Sequence, residues 1–419
     1  MSALPNAINY SQGMPALPEN SRVIDVAANP TSGSSFTPGS QITFDLISRG
    51  FIIPDSLFLA YNGTCVSAGN AEMKGCPGYA SFNNLTVQVG SQTIDSQNSY
   101  NAVMTMLSNL TLSQSEKYGL QSAYGYGSTA VAASVALEDL DGALFVSATQ
   151  ANTFAVPLTC VLSNADKLLP LFTMPQVRIN LTVDSIANIF TSTVVPTAWT
   201  LNNLTLHYKV IDFGPEVEQM VRGMGPVLSI KSQSFAASSQ TLTSGSSGSQ
   251  ELVYNMRYAS CKSVFCLNGS STAGGNTFFD SVNLLPNSTY SWSVAGIQYP
   301  QRPIDSAVRA QALMYLKAAV GSVYDRTNSH SINKYEFSFD GVAAAGITYK
   351  IPAKYILATS LEKLDSGMLT GISTQNSPIS YRISLGSGST AANSTITLIM
   401  NYDAVFEIDL VNNQVVLRT

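Results

Sequence analysis

The same ordered pattern of residues occurs twice along this chain, and such a duplication restricts the fold to two copies of one architecture. Leu85-Thr86-Val87-Gln88-Val89-Gly90 runs into Ile94-Asp95-Ser96 and then Val103-Met104-Thr105-Met106-Leu107. Its counterpart is Trp292-Ser293-Val294-Ala295-Gly296, then Ile304-Asp305-Ser306 and Leu313-Met314-Tyr315-Leu316; Asp95 and Asp305 are 210 residues apart, as are Met104 and Met314. A second pair follows in the same order. Val156-Pro157, Val161-Leu162 and Asp166-Lys167-Leu168 match Ile351-Pro352, Ile356-Leu357 and Glu362-Lys363-Leu364 at a spacing of 195 or 196. Two blocks in one order predict duplicated domains of roughly 200 residues, and a 419-residue chain is well beyond the size at which one core divides.

Within each half the apolar residues alternate with polar ones. Ile42, Phe44 and Leu46 do so, then Val177, Ile179, Leu181 and Val183, then Leu204, Leu206, Tyr208 and Val210. Later come Ile379, Tyr381, Ile383 and Leu385, and Ile396, Leu398, Met400 and Tyr402. Period-two patterning between Gly, Pro, Ser and Asn clusters predicts half-buried antiparallel strands, several per half, and so an all-β sandwich or jelly roll. Helical patterns are few and fall at matching places. Tyr100, Val103 and Leu107 form one stripe; Val308, Ala312, Tyr315, Leu316 and Ala319 form a longer one ending at Gly321. Ser113 with Glu116 is a capping box opening a short helix in 113–121. Asp212-Phe213-Gly214-Pro215 closes the first half, and Glu216 to Arg222 suits a short connecting helix. The predicted organisation is an arm at 1–20 with Pro5, Pro15 and Pro18, either extended under a neighbour or disordered, a first domain at 21–214, a linker at 215–224 and a second domain at 225–419. Ser244 to Ser249 and Gly386 to Ser389 read as loops between strands.

Composition narrows the function. Charged residues make up only 11% of the chain while 45% is hydrophobic, so the polar surface is mainly Ser, Thr, Asn and Gln. Neutral polar groups lose less on desolvation than ions do, which suits burial against other copies; an extracellular β-protein shares the composition. A net charge of −5 with scattered basic residues, and no Lys or Arg in the first twenty, argues against tight nucleic-acid binding. No signal peptide and no apolar run of membrane-spanning length is visible, so the expectation is a soluble product of the cytosol. Nine Asn-x-Ser/Thr sequences, among them Asn180 and Asn203 inside predicted strands, are weak signs of secretion in so Asn- and Ser-rich a chain. Cys65, Cys76, Cys160, Cys261 and Cys266 are expected as free thiols, although 65 with 76 and 261 with 266 could close loops.

Catalytic and metal-binding patterns are weak. His207 and His330 are the only histidines; the first sits in an alternating strand and reads as a surface or interface residue, the second as a loop residue. Glu138-Asp139-Leu140-Asp141 lacks the ligand spacing of a calcium loop and reads as an acidic turn. Gly125-Tyr126-Gly127 has no following Lys and no phosphate-loop context. The expectation is therefore no catalytic residue, no cofactor and no metal, with zinc disfavoured for want of histidine near the cysteines.

Three segments carry a family resemblance. Val156-Pro157-Leu158, then Leu169-Pro170-Leu171, leads into Val177-Arg178-Ile179-Asn180-Leu181. Gln41-Ile42-Thr43-Phe44-Asp45-Leu46 precedes Arg49-Gly50-Phe51-Ile52-Ile53-Pro54, and a helical insertion follows Gly90-Ser91-Gln92-Thr93-Ile94-Asp95-Ser96. In this order they resemble the double jelly-roll major capsid proteins of the tectivirus–adenovirus lineage, which includes polinton-like viruses, virophages and large nucleocytoplasmic DNA viruses. The resemblance covers nearly the whole chain, as architecture more than identity. It implies two tandem eight-stranded jelly rolls with short helices in crossover loops, a homotrimer of pseudo-hexagonal outline, and an icosahedral DNA-virus shell. Its partners would be neighbouring capsomers and penton or minor capsid proteins, with room for an internal membrane beneath. The alternative is a carbohydrate-binding or adhesive tandem β-sandwich, and a glycoside-processing enzyme on a jelly-roll scaffold stands third. Adhesive modules usually carry a linker and an export signal, and matched helices in both halves favour the shell protein.

Overall fold

A computed structural model of the chain describes residues 21–69, 71–126, 142–145, 149–190, 196–223, 225–269, 281, 287–323, 332, 337, 354–363, 369–386, 390 and 393–419. The arm at 1–20, the acidic run Glu138 to Asp141, His330, Gly127 and Ile351-Pro352 lie outside these residues.

The first half is built on eight principal strands: β1 (Arg22–Ala28), β2 (Gln41–Asp45), β3 (Phe58–Val66), β4 (Phe82–Val89), β5 (Gln92–Gln97), β6 (Thr149–Pro157), β7 (Val177–Val183) and β8 (Ala198–Asp212). The second half has eight more, β9 (Val227–Leu242), β10 (Ser249–Tyr254), β11 (Cys261–Asn268), β12 (Thr289–Val294), β13 (Ile297–Asp305), β14 (Leu357–Ser360), β15 (Ile379–Ser384) and β16 (Ser394–Asp409), followed by β17 (Gln414–Arg418). In the first half one sheet pairs β1 with β8, β8 with β3 and β3 with β6, and the other pairs β2 with β7, β7 with β4 and β4 with β5, all antiparallel. Adding eight to each strand number reproduces every pairing in the second half. The duplication read from sequence is thus a duplication of topology. Short pieces extend the larger sheets, with Phe51–Ile52 on β8 in one half and β17 on β16 in the other.

Alternation sets these faces. In β8 the buried residues are Trp199, Leu201, Leu204, Leu206, Tyr208 and Val210. The break between Leu201 and Leu204 is absorbed by a bulge at which Asn203 takes a left-handed φ of 52°, so the inward phase is kept on both sides. Edge-to-face packing of Tyr61 on Phe82, with ring centroids 5.3 Å apart, joins the two sheets of the first half. The Tyr254 hydroxyl, donating 3.0 Å to the Ile396 carbonyl, does the same in the second. Much of β16 is buried on both faces, which no alternating pattern foretells.

Helix α1 (Tyr100–Thr111) follows β5, helix α2 (Pro215–Gly223) connects β8 to β9, and helix α3 (Arg309–Val323) follows β13. Helix α1 buries Tyr100, Val103 and Leu107 and nearly every other position as well. Helix α3 buries Ala312, Leu316 and Ala319, but Val308 precedes it and is exposed, and the helix passes Gly321 to reach Val323. The predicted capping box is formed: the Ser113 N–H donates to Glu116 Oε2 at 2.6 Å, and the Glu116 N–H donates to Ser113 Oγ at 3.3 Å.

The second repeated sequence block is out of register with the structure. The Leu158 N–H donates to the carbonyl of Leu57, just before β3, and the Leu361 N–H donates to that of Lys262 at the start of β11. These equivalent residues are 203 apart, not 195 or 196. Apolar-Pro-x₃₋₄-apolar-apolar recurs easily in β-rich sequence, and pairing geometry overrides it.

Candidate assembly site between the two halves

Strand β5 carries the residues that join the halves. The turn at Gly90, with φ 61°, folds β5 back on β4 so that Asp95 lies opposite Val87 and Gln97 opposite Leu85. This phase turns both polar side chains inward, and both are fully buried. Asp95 accepts four donors: the Val161 N–H at 3.0 Å, Gln97 Nε2 at 3.2 Å, Ser234 Oγ at 2.9 Å and the Tyr402 hydroxyl at 3.4 Å. Ser234 in turn accepts from Gln97 Nε2 at 3.0 Å. Ser234 stands on β9 and Tyr402 on β16, so one carboxylate of the first half is held by two strands of the second. Tyr258 stacks on Tyr402 with centroids 3.8 Å apart and closes the far side.

Burial dominates the electrostatics. It raises the Asp95 carboxyl above its ordinary range, and the four hydrogen bonds only moderate that. Burial likewise pushes the Cys160 thiol up to about 11, with Asp95 adding to the shift, and the Tyr258 hydroxyl to about 12. Further bonds across the seam end on backbone carbonyls. Ser232 Oγ donates to the Val161 carbonyl at 2.6 Å, Asn164 Nδ2 to that of Gln233 at 3.0 Å, and the Asp166 N–H to that of Lys231 at 2.9 Å. Ala102, Met106 and Asn109 of α1 face Leu267, Ser281 and Ile356 across a small cleft. Helix α2 is tied back to the first half by Arg222, which lies over the Phe172 ring at 5.4 Å and donates to its carbonyl at 3.2 Å.

The repeated aspartates have separate fates. Asp305 is half-buried and accepts the Ala307 N–H at 2.8 Å, whereas Ile304, opposite Tyr290, fills the inward place. His207 is half-buried on the outer face of β8, its ring stacked on Phe58 with centroids 4.6 Å apart. The five cysteines are buried free thiols. Sequence reasoning did not single out Asp95, Ser234, Tyr402 or Asn164 as a site. One signal was present, since Ser232 and Ser234 continue the inward phase of Ile230 with polar side chains.

No family model and no curated protein matches the sequence. The fold itself is a double jelly roll, two eight-stranded sandwiches with identical pairing in one chain. The chain is similar to the Faustovirus major capsid protein at a TM-score of 0.64 and 10% identity, over 95% of this chain and 92% of that one. It is also similar to PBCV-1 VP54 fitted into a reconstruction of the virophage Sputnik (TM-score 0.61, 11% identity, 98% and 99% covered) and to the mavirus major capsid protein (0.55, 10%, 100% and 95%).

Proposed function

We propose that this chain is the major capsid protein of an icosahedral DNA virus, and that its activity is self-association rather than catalysis. The carrying observation is that the repeated pairing of all eight strands spans nearly the full length of double jelly-roll proteins named as major capsid proteins. Residues 21–214 and 225–419 are the two jelly rolls, 215–224 is their joint, and 1–20 an arm toward neighbours. Three chains form a pseudo-hexameric capsomer that meets other capsomers and penton or minor capsid proteins in the virion, after synthesis in the host cell. The low charge supports this reading, because interfaces deplete charged residues at their cores.

Light scattering coupled to size-exclusion chromatography tests it. A stable species of three times 44.5 kDa is expected, and hexagonal plates about 75–90 Å across in negative stain, from six sandwiches with sheets about 10 Å apart. A strict monomer at all concentrations overturns the reading.

A further inference from the structure

The second half buries a carboxylate as deeply as the first does, but compensates it far less. Asp95 accepts four donors. Asp403 of β16 is fully buried, and among the described residues no basic side chain pairs with it. The Ser260 hydroxyl donates to its Oδ2 at 2.8 Å and is itself engaged by the Gly371 N–H at 2.9 Å. Asp403 Oδ1 has no hydrogen-bond partner among the described residues.

Two further side chains share this condition. Asn401 stands two residues before Asp403 and so lies on the same face of β16. Ser263 of β11 is directly opposite Asn401 in the ladder. Both are fully buried, yet among the described residues neither amide atom of Asn401 is bonded, and nor is the Ser263 hydroxyl. Nearly all buried polar groups are hydrogen-bonded, so four unbonded atoms on three neighbouring side chains call for a ligand. A buried carboxylate without compensation is costlier still.

We propose that Asp403, Asn401 and Ser263 form an interior site for a small monovalent cation of the sodium class. Its ligands are Asp403 Oδ1, Asn401 Oδ1 and Ser263 Oγ, the oxygen donors that hard cations take. One carboxylate among neutral oxygens balances one positive charge, whereas a divalent ion would leave an excess charge buried. Among the described residues no three His, Cys, Asp or Glu side chains gather, which speaks against a transition metal. Asn401 Nδ2 then donates to a water in the shell of the ion. Tyr402 lies between Asn401 and Asp403, points to the opposite face and donates to Asp95 at 3.4 Å. An ion tying β16 to β11 therefore steadies the strand that presents Tyr402 to the seam. The site lies within one chain and is independent of the capsid reading.

Thermal unfolding of the full chain in sodium chloride and in tetramethylammonium chloride, at equal ionic strength, tests this. Tetramethylammonium is too large for the site, so sodium should raise the melting temperature by about 2 °C or more, saturably. Asp403→Asn should melt at one temperature in both salts. Ser263→Ala keeps the carboxylate and should need more sodium for the same gain. In crystals soaked with thallium(I) acetate, an anomalous peak should lie against Asp403 Oδ1 and Asn401 Oδ1. Should Asp403→Asn not fold, Ser263→Ala and the thallium peak decide. Equal melting of the wild type in the two salts, an unchanged sodium gain in the variants, or ordered water alone at the site overturns the inference. So does a gain from calcium that sodium does not give.

Discussion

The Ser234 hydroxyl donates to the Asp95 carboxylate across 2.9 Å, and this bond connects β9 of one jelly roll to β5 of the other. This buried acid acts beside the Ser232–Val161, Asn164–Gln233 and Asp166–Lys231 bonds in holding the two sandwiches against each other. Removing either partner leaves buried polar groups without their hydrogen bond.

Asp95→Ala should destabilise the chain by about 1–3 kcal/mol, because Gln97, Ser234 and the Val161 N–H lose their shared acceptor. The loss falls on the seam rather than on either core, so calorimetry should show one thermal transition becoming two. Ser234→Ala should weaken the same junction less, since three donors to Asp95 remain.

Asp95 also gives the junction a pH dependence. Its carboxyl is raised in the folded chain, so its favourable contribution belongs to the protonated form. That contribution is fully present below the unfolded pKa of about 3.9 and is lost as pH rises through the raised folded value. Asp212 acts the other way: Arg49 holds its carboxyl low, and its contribution is lost as pH falls. Comparing melting temperatures of the wild type and Asp95→Asn across pH cancels the shared carboxylates. The wild type should lose ground to the variant as pH increases, and parallel curves would refute this role.

Gly63 should tolerate no larger residue. A Cβ there would run into the Trp199 ring, with Phe154 at 3.2 Å, and the indole is held by its bond to Ser81 Oγ at 3.1 Å. Gly63→Ala is expected to cost about 1–3 kcal/mol, measured by denaturant unfolding.

The cysteines should be inert. All five are buried and free, and burial pushes the thiols of Cys65 and Cys160 up to about 11. A thiol reagent at pH 8 should leave the native protein unlabelled and modify all five once it is unfolded, while reductant should leave the melting temperature unchanged.

Sequence alone determined the fold class, the order of hairpin and helix in each half, and the inward residues of strands such as β7 and β8. These follow from period-two and helical patterns, which are local and survive in any window of the chain. Tertiary structure decided the rest. It set Leu158 against Leu361, where pairing with β3 and β11 overrode a chance likeness. It buried Asp95 while leaving Asp305 at the mouth of a helix, because only one of the two phases faces the seam. It also laid the segment after β6 along β9, since which edge is shielded depends on how one sandwich lies against the other, a relation that no stretch of residues encodes by itself.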